Sequence, residues 1–306
     1  MQAIETDVYP SRVGGQPRRL ERCDPILYGG VDDGPLSAQQ LADYERDGFL
    51  ILPNFLPPAQ LDACLAELEK VRHDDALKQR DEAIVEPESN DLRSLFAVHR
   101  LSEMFASVAA DPRIAPMAQQ LLGSEVYIHQ SRVNFKPGFR GQGFYWHSDF
   151  ETWHVEDGLP RMRTVSCSIL LTQNQTWNGP LLLAPGSHRR YISCAGSTPK
   201  NNFKNSLKKQ EIGVPDDDSL TAMVDEGGII PATGPAGTVV LFECNTMHGS
   251  ASNISPLPRS NLFFVYNSIQ NPLDDPYSGQ PPRPEYIAAR RHVEPIGSNP
   301  LTMPLE

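Results

Sequence analysis

Near residue 124 the apolar pattern of this chain changes period, and that switch restricts its fold more than any other feature. Upstream the spacing is helical: Leu61, Cys64, Leu65, Leu68 and Val71 recur along one helix face. Ser37-Ala-Gln-Gln40 has the form of a capping box, which opens a short helix through Tyr44–Arg46 and closes it before Gly48. Phe49–Pro53 reads as a short strand, and Pro57-Pro58 leads into the helix that carries Leu61 to Val71. Phe96–Ala110 and Ile114–Leu122 read as further helices, separated by Asp111-Pro112. Downstream, Val126, Ile128, Gln130 and Arg132 fall on one face of a strand. Thr164–Thr172, Leu181–Ala184, Thr238–Cys244 and Asn261–Ile269 are further strands, several of them set apart by Gly-Pro, Pro-Gly and Asn-Gly turns. Strands at these intervals after a helical start predict a mainly β fold with helices: a double-sheet jelly roll flanked by α-helices. The mouth of such a barrel has room for a metal and small ligands.

The expected organisation is a single domain over residues 1–306. It comprises an irregular arm (1–35), a helical flank (36–123), a jelly-roll core (124–271) and a Pro-rich tail (272–306) that wraps the core or a partner subunit. Within the core, residues 193–232 are rich in Ser, Lys, Asn, Asp and Gly; so long a loop reads as a lid over the site or a solvated insertion. The net charge of −11, with no dense basic run beyond Lys200–Lys209, argues against nucleic acid as a partner. No stretch approaches the roughly 18 apolar residues of a membrane span, and Met1–Leu20 lacks the apolar centre of a signal peptide. The five cysteines, Cys23, Cys64, Cys167, Cys194 and Cys244, form no Cys-x-x-Cys pair and fit reduced thiols of a cytoplasmic protein.

The chemistry concentrates in Phe144-Tyr-Trp-His-Ser-Asp-Phe-Glu-Thr-Trp-His154. In an extended strand His147 and Asp149 point to the same face. They supply two-thirds of a triad of two His and one carboxylate, the set that holds non-heme Fe(II) and leaves three positions open. His248 is the candidate third ligand, and Arg259 follows it with ten residues between. His-x-Asp alone is a weak signal among eight His. His73 and Asp75 share the spacing, but they sit at a helix end, where i and i+2 diverge by about 200°. His154-x-Glu156 has the same chemistry and reads as structural, as does His188 in Pro185-Gly-Ser-His188. Arg259, at the start of a strand, has the planar fork that grips a carboxylate in two places. Gln130, Asn134 and Lys136 lie on or beside the first strand as polar contacts or solvent-facing residues. Trp153 and Phe263 are core aromatics unless the ligand is cationic, when an aromatic face attracts it by ~0.5–2 kcal/mol. A non-catalytic jelly-roll binding protein is the rival class, but it has no use for open metal positions beside a carboxylate clamp.

With these residues in place, the chain resembles the phytanoyl-CoA dioxygenase family. The general features are His147-x-Asp149, His248 with Arg259, and the passage from Asn178-Gly-Pro to Pro-Gly-Ser-His188. The block from Phe144 to Thr172 is similar nearly throughout to members that hydroxylate ectoine, and Asp7-x-Tyr-Pro-Ser-Arg12 fits as well. Thr164 departs from it, where Ala or Cys is more usual. The resemblance implies an Fe(II)- and 2-oxoglutarate-dependent hydroxylase, with O2 as co-substrate, on a double-stranded β-helix (cupin-like) core. It implies His147, Asp149 and His248 as iron ligands. It implies Arg259 on the distal carboxylate of 2-oxoglutarate, assisted by Asn134, Phe144, Lys136 and Ser250. Ectoine is expected among Gln130, Thr152, Trp153 and Ser166, with Phe242, Asn261 and Phe263. The product implied is 5-hydroxyectoine, a compatible solute for osmotic or heat stress, made by a cytoplasmic homodimer. A related hydroxylase acting on another small amino acid or an acyl-CoA is the nearest alternative.

Overall fold

The computed structural model describes residues 7–86, 90–207 and 209–297. The first six residues of the expected arm and residues 298–306 of the expected tail lie outside the described residues. In chain order the strands are β1 (Arg18–Glu21), β2 (Phe49–Leu52), β3 (Ala83–Val85), β4 (Leu92–Phe96), β5 (Val126–Lys136), β6 (Phe144–His147) and β7 (Thr164–Leu170), then β8 (Leu181–Leu183), β9 (Arg190–Ser193), β10 (Ile230–Pro231), β11 (Val239–Glu243), β12 (His248–Ser250) and β13 (Arg259–Ser268). The helices are α1 (Ala38–Asp47), α2 (Pro58–His73), α3 (Asp75–Lys78), α4 (Val98–Leu101), α5 (Glu103–Ala109), α6 (Ala115–Leu122), α7 (Asp149–Asp157), α8 (Phe203–Ser206) and α9 (Asp217–Gly227). A large antiparallel sheet runs β2-β11-β7-β13-β5-β4-β3 and a smaller one β10-β8-β12-β6, while β1 pairs with β9. This is the jelly roll.

The period-2 pattern decides which face of the large sheet packs where. Val165, Cys167 and Ile169 of β7, Val239 and Leu241 of β11, and Leu262, Phe264 and Tyr266 of β13 join one core with Leu68, Phe105 and Leu121 of the helices. Each such side chain contributes about 1.5–3 kcal/mol by leaving water. The alternate residues turn toward the smaller sheet, where Phe242 packs with Leu181 and Leu183. On that inner face β7 carries Thr164, Ser166 and Ser168, all buried. Buried hydroxyls need partners. Thr164 donates to Asn267 (2.7 Å) and Ser166 to Asp149 (3.3 Å), while Ser168 Oγ lies 3.4 Å from the Asn261 side-chain amide. The interior is therefore apolar on the helix side and mixed, part apolar and part polar, between the sheets.

Several expectations need correction. Val126, Ile128, Gln130 and Arg132 do not share a face. The β13–β5 register shifts where Val265 pairs with Gln130 and Tyr266 with Ile128, so His129 is an extra residue in β5. A one-residue bulge moves everything beyond it to the other face. Val126 and Ile128 thus face the helices together with Val133 and Phe135, and Arg132, Asn134 and Lys136 face the cavity. The tail caps the bulge: Ala289 N donates to His129 O (2.9 Å) and Gln130 Nε2 to Ile287 O (2.8 Å). Phe96 ends β4 rather than opening a helix, because Ala97 takes a left-handed conformation (φ 52°) and Ser102 caps a separate helix, α5. Residues 193–232 are not structureless, since they hold α8, α9 and β10, with Asn202, Ser206 and Gln210 buried. The arm contributes β1. Finally, Asp149 lies in no strand: it is the first residue of α7.

Candidate metal centre and cavity

His147 and Asp149 meet through a strand-to-helix junction. His147 closes β6, Ser148 keeps an extended backbone (φ −100°, ψ 128°) and caps α7, and Asp149 opens the helix. The extended cap keeps both side chains on one side. His248, first residue of β12, pairs with His147 across the small sheet. The two rings lie 4.2 Å apart, centroid to centroid. Asp149 Oδ1 is 3.6 Å from His147 Nε2 and 3.8 Å from His248 Nε2. One ligand atom from each residue lies within 4.8 Å of the others, and all three residues are buried.

Backbone carbonyls orient both imidazoles. His147 Nδ1 is 2.8 Å from Tyr145 O and His248 Nδ1 is 2.9 Å from Thr246 O. Each Nδ1–H donates there, which leaves each Nε2 on the Asp149 side, as in protein metal sites. Burial, reinforced by His147, pushes the His248 imidazole down to about 4, so it stands neutral at neutral pH. Burial would raise the Asp149 carboxyl, but His248, His147 and Arg132 outweigh it and hold Asp149 well below the ordinary carboxylate range. Two imidazoles and one carboxylate, with no thiolate, suit Fe(II).

The cavity beside His147 and His248 is lined by cations from the large sheet. Arg259 is buried, donates Nε to Gly179 O (2.7 Å) and is pushed down to about 10 by burial. With its amide oriented to satisfy both ends, Asn261 accepts from Arg259 Nη1 at 3.3 Å. Lys136 donates to Ser250 Oγ (2.9 Å) and Ala251 O (2.7 Å). Burial, then repulsion from Arg259 and Arg93, pushes Lys136 down to about 6. Asn134 accepts from Ser94 (2.8 Å), and the Phe144 ring sits edge-on to His147 at 5.0 Å. Phe242 and Phe263 complete the apolar part of the lining.

Not every expected contact lines this cavity. Gln130, Thr152, Trp153, Ser166 and Asn261 are not among its lining residues. Ser166 reaches Asp149, Gln130 accepts from Arg132 (3.3 Å), Thr152 meets Arg12 and Gln210, and Trp153 packs edge-on to His129 at 5.4 Å. The decoys resolve as structural. His73 is exposed on Glu69, His154 binds Asp7 and Leu159 O, and His188 lies 3.2 Å from Glu45 O. Sequence reading missed Arg132. It is half-buried in the cavity wall, its guanidinium lies 5.0 Å from the Phe263 ring and 5.9 Å from Phe96, and its Nε has no hydrogen-bond partner among the described residues. A charged residue in mid-strand was the available signal, and the bulge hid which way it points.

The sequence profile of phytanoyl-CoA dioxygenase (PhyH) matches residues 44–261. The chain belongs to the phytanoyl-CoA dioxygenase family. It is 56% identical over 296 residues to the ectoine dioxygenase of Bordetella bronchiseptica, covering 95% of this chain and 96% of that one. Among solved structures, EctD from S. alaskensis with 2-oxoglutarate and 5-hydroxyectoine superposes with a TM-score of 0.85 at 45% identity, over 94% of this chain and 96% of that one. The same protein with bound Fe gives a TM-score of 0.85 at 43% identity, over 95% and 97%. No helix among the described residues is long and apolar enough to cross a membrane.

Proposed function

We propose that this chain is an Fe(II)- and 2-oxoglutarate-dependent dioxygenase that hydroxylates ectoine to 5-hydroxyectoine, releasing succinate and CO2. One observation carries the reading: the two imidazoles of a buried His-Asp-His cluster line the same cavity as Arg259, Lys136 and Arg132. The relatives reported above are ectoine dioxygenases, and one was solved with 2-oxoglutarate and 5-hydroxyectoine. His147, Asp149 and His248 would hold the iron. When bound, it supplies the redox chemistry that couples decarboxylation of 2-oxoglutarate to oxygen insertion into a C–H bond.

The protein's own part is binding and orientation. Arg259 presents its remaining N–H groups to the distal carboxylate of 2-oxoglutarate, with Lys136, Ser250 and Asn134 as further polar contacts and Phe144 as an apolar wall. Arg132 offers a desolvated cation to the ectoine carboxylate, while Phe242 and Phe263 give ring faces for its delocalised cationic ring. Gln130 orients Arg132, Ser166 steadies Asp149, and Thr152, Trp153 and Asn261 support this wall from behind. Residues 1–306 are read as one dioxygenase domain, a reading supported among the described residues by the pairing of β1 with β9, by Gln210 reaching Thr152 and by the bonds of Ile287 and Ala289 to β5. The five unpaired cysteines suit a reducing cytoplasm, and sizing of the purified protein tests the homodimer that the family resemblance implies.

The test is mass spectrometry after incubation with Fe(II), 2-oxoglutarate, O2 and ectoine. The expected product is one oxygen atom heavier than ectoine, formed with one succinate per turnover. Succinate without that product rejects ectoine as substrate. Neither product, with iron bound, rejects the enzyme reading.

A further inference from the structure

Helix α7 is buried along its whole length, although four of its nine residues are carboxylates. Buried carboxylates demand partners. Asp149 faces the two metal-site imidazoles, and Asp157 is gripped by Arg283 through both oxygens. The remaining two, Glu151 and Glu156, converge on one guanidinium from the other end of the chain. Arg12 Nε and Nη2 donate to the two oxygens of Glu151 (2.9 and 2.6 Å), and Nη1 donates to Glu156 (2.6 Å). Longer contacts run from Nη1 to Thr198 and from Nη2 to Thr152, both 3.3 Å.

Arg12 is held in this place at a conformational cost. Its φ is +56°, the left-handed region that residues other than glycine seldom enter. Ser11 donates to the same Glu151 (2.6 Å), and Arg12 N donates to Cys194 O (3.0 Å). Asn202 donates to Glu156 (2.7 Å). A side chain added at Gly213 would fall 2.2 Å from Arg12 Nη2, so the 209–213 segment lies directly on the guanidinium. One side chain therefore ties together the amino-terminal segment, the 194–213 segment and the helix whose first residue is Asp149.

We propose that Arg12 is a positioning residue for the metal centre. Through Glu151 and Glu156 it fixes α7, and hence the Asp149 carboxylate, and it couples residues 7–12 and 194–213 to metal occupancy. This rests on the reading of His147, Asp149 and His248 as metal ligands. A guanidinium that only stabilised the fold would alter melting and leave metal binding by the folded protein unchanged. A positioning residue alters the metal site itself; partners bonded directly to the ligands change affinity by about 10–100-fold, which bounds from above the effect of Arg12 acting through α7.

The experiment titrates the metal-free full chain with Co(II), reading its visible absorption. Arg12→Lys, which keeps the charge and loses the fork, is expected to weaken Co(II) binding by about 10-fold, the low end of that range, and to alter the shape of the spectrum. The exposed control Arg46→Ala should do neither. If Arg12→Lys does not fold, the triple variant R12Q/E151Q/E156Q, which leaves no unpaired buried charge, takes its place. A wild-type measurement needs no substitution. Coupling is reciprocal, so Co(II) must slow amide exchange at Arg12 and Cys194 while leaving α1 unaffected. Wild-type Co(II) affinity and spectrum in a folded Arg12 variant, or exchange at Arg12 and Cys194 that ignores Co(II), overturns the proposal. A wild-type chain that takes up no Co(II) overturns the metal-site reading, and this inference with it.

Discussion

Replacing Arg259 with Ala is expected to cripple 2-oxoglutarate binding and spare the substrate. Arg259 is 5% exposed, and it commits Nε to Gly179 O, with Nη1 lying 3.3 Å from the Asn261 amide. The N–H groups left over face a cavity whose other nearby cation, Lys136, is itself bound to Ser250 and Ala251. A distal carboxylate gripped in two places gains two charge-assisted hydrogen bonds, each worth about 1.5–3 kcal/mol. Losing both removes about 3–6 kcal/mol, roughly a 10^2- to 10^4-fold rise in KM for 2-oxoglutarate. Arg259→Lys keeps the charge but not the planar fork, so its KM should fall between those of wild type and the Ala variant. Steady-state kinetics with each substrate varied in turn is the assay, and the KM for ectoine should move by less than about threefold. A 2-oxoglutarate KM within about threefold of wild type in Arg259→Ala would refute the clamp.

Three further expectations follow the same charges. Lys136 is held near 6 by burial and by Arg259 and Arg93, and a bound dianion must raise it, so binding of 2-oxoglutarate takes up a proton above that pH. Affinity should weaken as pH rises from about 6 toward the bound-state value, and calorimetry in buffers of different ionisation enthalpy should register the uptake; buffer-independent heats would contradict it. Arg132→Ala should raise the KM for ectoine by about 10–100-fold, the worth of one charge-assisted bond, with the KM for 2-oxoglutarate unchanged; the reverse split would reassign Arg132. Arg283→Ala leaves the buried Asp157 with only His129, 3.4 Å away, in place of the guanidinium and should cost about 3–5 kcal/mol, read as a lower denaturant midpoint, whereas a loss below 1 kcal/mol would show that His129 or solvent replaces Arg283.

The parts of this molecule legible in its sequence are those governed by local periodicity. The capping box at Ser37 and the strands β7, β11 and β13 announce themselves through spacing, because one face of each packs on a continuous apolar core. His147, Asp149 and His248 are legible as metal-ligand types, but the local geometry that joins His147 to Asp149 is not. A strand was expected where the chain forms a strand, a cap and a helix. Helix α7 escapes periodicity because every face of it is buried, so it has no apolar stripe. Its carboxylates look like a solvated face until Arg12 and Arg283 arrive from more than a hundred residues away. The bulge at His129 escapes for a similar reason. It is sealed by Ala289 and Ile287 of the tail, contacts that no local window contains, and it decides that Arg132 faces the cavity.

The central claim is that His147, Asp149 and His248 hold iron within reach of 2-oxoglutarate anchored at Arg259. The most direct measurement adds 2-oxoglutarate to the anaerobic Fe(II)-loaded protein and records the visible spectrum. The account predicts a weak charge-transfer band in the wild type and none in Asp149→Ala. A wild-type protein with iron bound and no band, or an Asp149→Ala protein that keeps the full band, would contradict it.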